Sequence, residues 1–81
     1  MKKDIYKRIA DLLENSYHIV DSDISESAVY DDLELDSLVL LELSVILNKE
    51  FQLRIQHGQL EPSMTIGESI DVMLQHKSDS V

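Results

Sequence analysis

Asp31-Asp32-Leu33-Glu34-Leu35-Asp36-Ser37-Leu38-Val39-Leu40-Leu41-Glu42-Leu43 is the stretch on which the reading of this chain turns. An acidic, helix-breaking run ends at Asp36, and a strongly apolar helix begins at Ser37. A serine one residue past an N-capping aspartate is exposed, rigidly held and next to the positive end of a helix dipole. That setting suits a phosphate ester on the hydroxyl, because unpaired backbone N–H groups and the dipole both favour a phosphodiester's negative charge. It does not activate the serine as a nucleophile. No general base stands nearby in sequence, and there is no G-x-S-x-G elbow.

The helix is expected to run from Ser37 to about Phe51. At about 100° per residue, Val39, Leu40, Leu43, Ile46, Leu47 and Phe51 share one broad arc, the core face. Leu38, Leu41 and Val45 fall on the opposite side at i, i+3 and i+7, flanked by Glu42 and Lys49. A surface helix is ordinarily polar there. A helix buried all round would explain the second stripe, but an 81-residue chain has too few layers for one. The stripe therefore reads as a docking surface for a partner.

Working outward, Ile5, Ile9, Leu12 and Leu13 mark one face of a helix over about Lys3 to Tyr17, with Tyr6 and Tyr17 at its margin and their hydroxyls wet. His18 to Leu35 has no sustained period and reads as a long ordered loop, pinned by Ile19, Val20, Ile24, Val29, Leu33 and Leu35. A loop this long in a compact domain tends to be functional. Asp21-x-Asp23-x-Ser25 hints at a calcium loop, but Glu26 stands where glycine is needed and Asp32 where glutamate is needed. Gln52 to Ile55 alternates, yet has no second strand to pair with, so it is expected to be an extended connector burying Leu53 and Ile55. Gln56 to Gln59 reads as a turn, and Leu60 to Met64 as one short helical turn with Pro62 near its start. Thr65-Ile66-Gly67-Glu68 has the capping-box pattern. Ile66, Ile70, Met73 and Leu74 then predict a helix to about His76, whose end suits His76 and Lys77, with a frayed tail from Ser78. The expected fold class is all-α: a small four-helix bundle of three main helices and one short one, with a long loop between the first two.

Composition bounds the function. The chain reads as one domain over 1–81, with 78–81 a flexible tail. Hydrophobic residues make up 43% of it, enough for a core. The absence of cysteine excludes disulfides, thiolate metal sites and a cysteine nucleophile. His18, His57 and His76 show no metal spacing. No apolar run is long enough to span a membrane and the first residues lack a signal-peptide pattern, so the cytoplasm is the expected compartment. Of the net charge of −9, residues 21–36 supply seven acids and no Lys or Arg. Such a field repels nucleic acid and attracts a basic protein partner to the approach to Ser37.

The order Asp-Leu-x-Leu-Asp-Ser-Leu, followed by an apolar helix containing Glu-Leu, resembles the acyl carrier proteins. Glu50-Phe51 and Thr65-x-Gly67-Glu68 stand at family-like distances behind it, so the resemblance extends from about Ile5 to Leu74. It implies that Ser37 carries 4′-phosphopantetheine, donated by coenzyme A through a magnesium-using phosphopantetheinyl transferase. It also implies that Asp36 caps the helix and helps orient that transferase. The protein would then be a monomeric carrier rather than an enzyme. It would hold an acyl group as a thioester for acyltransferase, ketosynthase or adenylating partners, with Leu38, Leu41, Glu42 and Val45 as docking residues. Departures from the family pattern are Val39 where an acid usually follows Ser-Leu, Asn48 and Lys49 among the usual terminal acids, and Glu34 and Gln52 where glycine is frequent. They point away from the housekeeping carrier of fatty-acid synthesis and toward a specialised, polyketide-like or modified fatty-acid pathway. An aryl- or aminoacyl carrier loaded by an adenylating enzyme fits the same residues, and an unmodified helical interaction domain is the reading from another class.

Overall fold

The computed structural model describes residues 2–56 and 58–77. Its elements are α1 (Lys2–Ser16), α2 (Ser37–Phe51) and α3 (Ile66–Lys77), with two short 3₁₀ turns at Asp21–Asp23 and Tyr30–Leu33 between α1 and α2. The all-α class expected from the sequence is the one observed, and α1 packs against both α2 and α3. Its Ile5, Ile9, Leu12 and Leu13 are buried, as their spacing requires. Past its end His18 takes a left-handed φ of 60°. The chain then turns back through a 2.9 Å bond from the Ile19 N–H to the Leu13 carbonyl. Arg8 reaches across to both oxygens of Glu50 at 2.8 Å, joining α1 to the last turn of α2.

The long loop is strapped to the segment entering α3. Val29 and Thr65 form an isolated antiparallel bridge. The Tyr30 and Asp31 N–H groups donate to the carbonyls of Met64 (3.2 Å) and Pro62 (2.9 Å). In the other direction, the Ile66 and Gly67 N–H groups donate to the carbonyls of Ala28 and Glu26, each at 2.9 Å. A Cβ at Gly67 would stand 3.1 Å from the Glu26 carbonyl oxygen, so this approach depends on a residue without a side chain.

These straps correct one expectation. Leu60–Met64 forms a turn, with the Met64 N–H on the Glu61 carbonyl at 3.0 Å, and not a short helix. Pro62 has no N–H to give, and the Pro62 and Met64 carbonyls are engaged by the loop. The loop's anchoring also differs in detail. Ile24 and Leu35 are buried as expected, but Val20 is 61% exposed. The deepest anchor is Tyr30, which is fully buried. Its hydroxyl lies 2.7 Å from Ser69 Oγ, and Ser69 Oγ donates to the Ile66 carbonyl at 2.7 Å. The serine proton is thus committed, and Tyr30 is the donor of the pair.

The connector after α2 is extended and buries Leu53 and Ile55 as expected. Asn48 holds it there, donating to the Ile55 carbonyl (2.9 Å) and accepting from the Ile55 N–H (2.8 Å). At the start of α3, Thr65 Oγ1 accepts from the Glu68 N–H at 3.0 Å and Glu68 Oε1 from the Thr65 N–H at 2.8 Å, the reciprocal capping box. His57, the tail 78–81 and the side chains of His76 and Lys77 lie outside the described residues.

Candidate functional site

Asp36 is the N-cap of α2, with extended backbone and a side chain accepting from the Val39 N–H at 3.1 Å. Its carbonyl accepts the first helical bond, from the Leu40 N–H at 3.2 Å. The N–H groups of Ser37 and Leu38 belong to the first helical turn, where no intrahelical acceptor exists. Ser37 is exposed. Its hydroxyl therefore stands at the positive end of a 15-residue helix, fixed by a cap and approached through the acidic loop.

The backbone feeding this cap is unusual at Glu34, which closes the Tyr30–Leu33 turn in the left-handed region at φ 60°, ψ 32°. Gln52 does the same at the far end of α2, at φ 56°, ψ 43°. These are the two positions where the sequence carries a side chain in place of a frequent glycine. Their departure is conformational: each backbone needs a left-handed residue, and glycine would adopt it without strain.

The four docking candidates divide between two concavities on α2. Leu38, 61% exposed, and Leu41 line a cleft of about 320 Å³ together with Ser37, Gly58 and Leu60. Leu41 also lines a second groove with Glu42, Ile46 and Val45, which is 56% exposed. Tyr17 forms the remaining wall, and its hydroxyl donates to Glu42 Oε1 at 2.5 Å. Partial burial and this contact with the glutamate push the Tyr17 hydroxyl up to about 12. The Tyr17 hydroxyl is therefore bonded to protein and not simply wet. No periodicity within one helix could show this, because the partner lies 25 residues away. The cleft likewise has no local sequence signature, because its walls come from α2 and the segment after it.

Acids on α2 number only two, Glu42 and Glu50; Tyr17 binds the first and Arg8 the second. Val39 is half-buried and packs against the core, so its replacement of an acid is partly a matter of packing. Among the described residues no group of His, Asp or Glu could hold a metal ion, and no helix is long and apolar enough to cross a membrane.

An exposed serine at a capped helix start, free amides beside it and a cleft opening at its side suit a phosphate-linked flexible arm. They define a carrier-type domain, not a hydrolytic site. The comparisons with known proteins agree. The family described as Phosphopantetheine attachment site matches residues 7–73. Similar proteins include the acyl carrier protein of Shigella flexneri, 37% identical over 70 residues that span 85% of this chain and 90% of that one. The acyl carrier protein of Saccharopolyspora erythraea is 35% identical over 74 residues, covering 90% of this chain and 78% of its own. That of Rubrobacter xylanophilus is 27% identical over 78 residues, 95% and 96% of the two chains. No solved structure matches. The chain belongs to the acyl carrier protein family, whose prosthetic group is phosphopantetheine and whose members carry acyl groups between enzymes without catalysing the chemistry themselves.

Proposed function

We propose that Ser37 is the attachment residue, its hydroxyl receiving 4′-phosphopantetheine from coenzyme A through a phosphopantetheinyl transferase. The observation that carries this reading is the placement of Ser37. It is exposed in the first turn of α2, one residue after the capping Asp36 and inside the segment matched by the family. The Ser37 and Leu38 amides would face the phosphate, and the helix dipole would favour its charge. Once attached, the group supplies a thiol that holds the acyl chain as a thioester. Asp36 keeps the serine at a fixed point and helps orient the transferase. The acidic loop draws a basic partner to it.

The chain then acts as one carrier domain over 1–81, monomeric and cytoplasmic. It has no use for nucleic acid or membrane. Leu38, Leu41, Glu42 and Val45 dock partner enzymes such as acyltransferases and ketosynthases, with Tyr17 as a further wall of that surface. Because both acids of α2 are engaged within the protein and Lys49 is exposed, partners read an apolar stripe with little free negative charge. That pattern favours a specialised pathway over general fatty-acid synthesis. It also suits an adenylating enzyme that loads an aryl or aminoacyl group, the second reading. Covalent tethering raises the effective concentration of cargo at each partner, so docking needs to be only weak.

The test is intact mass after incubation with coenzyme A, magnesium and a broad-specificity transferase. A gain of one phosphopantetheinyl group is expected on the wild type and none on Ser37→Ala. A gain on Ser37→Ala would overturn the assignment. Offering malonyl and aminoacyl loads then separates the two pathways.

A further inference from the structure

We propose that Ser44 is the point at which this carrier reads the chain stowed beside α2, its buried hydroxyl accepting a hydrogen bond from a donor on that chain. The inference rests on Ser37 as the attachment site. The cleft opens at Ser37 and Leu38, and Ser44 lines it further in with Leu40 and Leu60. At about 1.5 Å rise per residue, Ser44 lies roughly 10 Å along the helix from the attachment point. An arm rooted on Ser37 reaches it by folding back along two turns of α2.

Ser44 is 3% exposed and shares its helix face with Leu40, Leu43 and Leu47. Its one proton is spent on the Leu41 carbonyl at 2.7 Å. A serine hydroxyl has one donor and two acceptor positions, so what Ser44 offers the cleft is acceptor capacity only. A plain methylene chain makes no use of it, and a carbonyl on the chain has nothing to donate. A hydroxyl or an amide N–H does. If the cleft served only hydrocarbon, alanine would do as well, with better helix propensity and no polar atom to desolvate. Between apolar walls, the acceptor favours chains that carry a donor by the net value of one hydrogen bond, because Ser44 still donates to the Leu41 carbonyl when no donor arrives. The favoured cargo is therefore a hydroxyl-bearing acyl group, for which a 3-hydroxyacyl chain is the probe, over the saturated chain of equal length. The arm itself contains amide N–H groups, a second source of the same chemistry.

The experiment loads wild type, Ser44→Ala and Ser44→Thr from coenzyme A, hexanoyl-coenzyme A and 3-hydroxyhexanoyl-coenzyme A. Intact mass verifies each product, and the thermal midpoint is the readout. One hydrogen bond in a domain of this size is expected to raise the midpoint by about 4–8 °C. The 3-hydroxyhexanoyl form of the wild type should exceed the hexanoyl form by that amount. Ser44→Ala should lose the difference and Ser44→Thr should retain it. If the gain is present in the unloaded holo form, depends on Ser44 and is indifferent to cargo, the donor is the arm's amide. Equal midpoints for Ser44→Ala and wild type across all three forms, each referred to its own apo protein, would overturn the proposal alone. Failure to load at Ser37 would overturn the attachment site and this inference with it.

Discussion

Removing the Tyr30 hydroxyl and removing the Ser69 hydroxyl should have unequal costs, although the two atoms share one hydrogen bond. Tyr30 is fully buried, donates to Ser69 Oγ at 2.7 Å, and is the deepest anchor of the loop that leads to Asp36 and Ser37. Tyr30→Phe deletes the donor and leaves no orphan, because Ser69 still donates to the Ile66 carbonyl. Its cost is the net value of one hydrogen bond, about 1 kcal/mol. Ser69→Ala strands the tyrosine hydroxyl in the core without an acceptor, at a cost of about 2 kcal/mol within a range of roughly 1–3. The double variant should cost less than the two single costs added, because both act on one bond. Urea denaturation of the three variants at neutral pH measures this cycle through midpoints at constant m-value. A Tyr30→Phe cost equal to or above that of Ser69→Ala would refute the assignment of Tyr30 as donor. Additive costs would refute the bond itself. Tyr30→Phe should still accept phosphopantetheine, since the cap at Asp36 is untouched.

Four further outcomes follow from the same geometry. Asp36→Ala should lower stability by about 1 kcal/mol through loss of the bond to the Val39 N–H, whereas Asp36→Asn should cost a few tenths at most, as thermal melts will show. Glu34→Gly and Gln52→Gly should each raise stability by about 0.5–1 kcal/mol by relieving left-handed backbone, and a loss of stability in denaturant titration would contradict the strain argument. Asn48→Ala should cost about 2 kcal/mol, since both bonds to Ile55 go at once; hydrogen exchange at the Ile55 amide should accelerate with it. Burial pushes the Tyr30 hydroxyl from 10 to about 12. A folded pKa above the unfolded one means that this contribution is fully present below pH 10 and is lost as pH rises toward about 12. Denaturation midpoints should therefore fall over that window, and fall less steeply in Tyr30→Phe.

Local signals made much of this molecule legible before any coordinates. Ile5, Ile9, Leu12 and Leu13 mark α1 because helical spacing repeats within a few residues, and Thr65 with Glu68 marks the start of α3 because a capping box spans one turn. The helix start at Ser37, capped by Asp36, is legible for the same reason. What stayed hidden depends on distant pairings. Tyr30 looks like one more side chain in a polar loop until Val29 meets Thr65 and seats it over Ser69. Val20, expected to anchor the loop, is exposed just before the Asp21–Asp23 3₁₀ turn. Glu34, Gln52 and Asn48 depart from the family pattern. Two of them sit at left-handed backbone and the third clips the connector to α2, so each has a structural account of its own. The residual signal is the apolar stripe of Leu38, Leu41 and Val45, the docking surface proposed above.

The chain has ten serines, several of them exposed, and the account stands on one. Fragmentation mass spectrometry of the protein after transfer from coenzyme A locates the phosphopantetheinyl ester directly. The account predicts that all of it lies on the fragment containing Asp36-Ser37-Leu38. An ester on any other serine, or a folded wild-type protein refractory to several unrelated transferases, would contradict it.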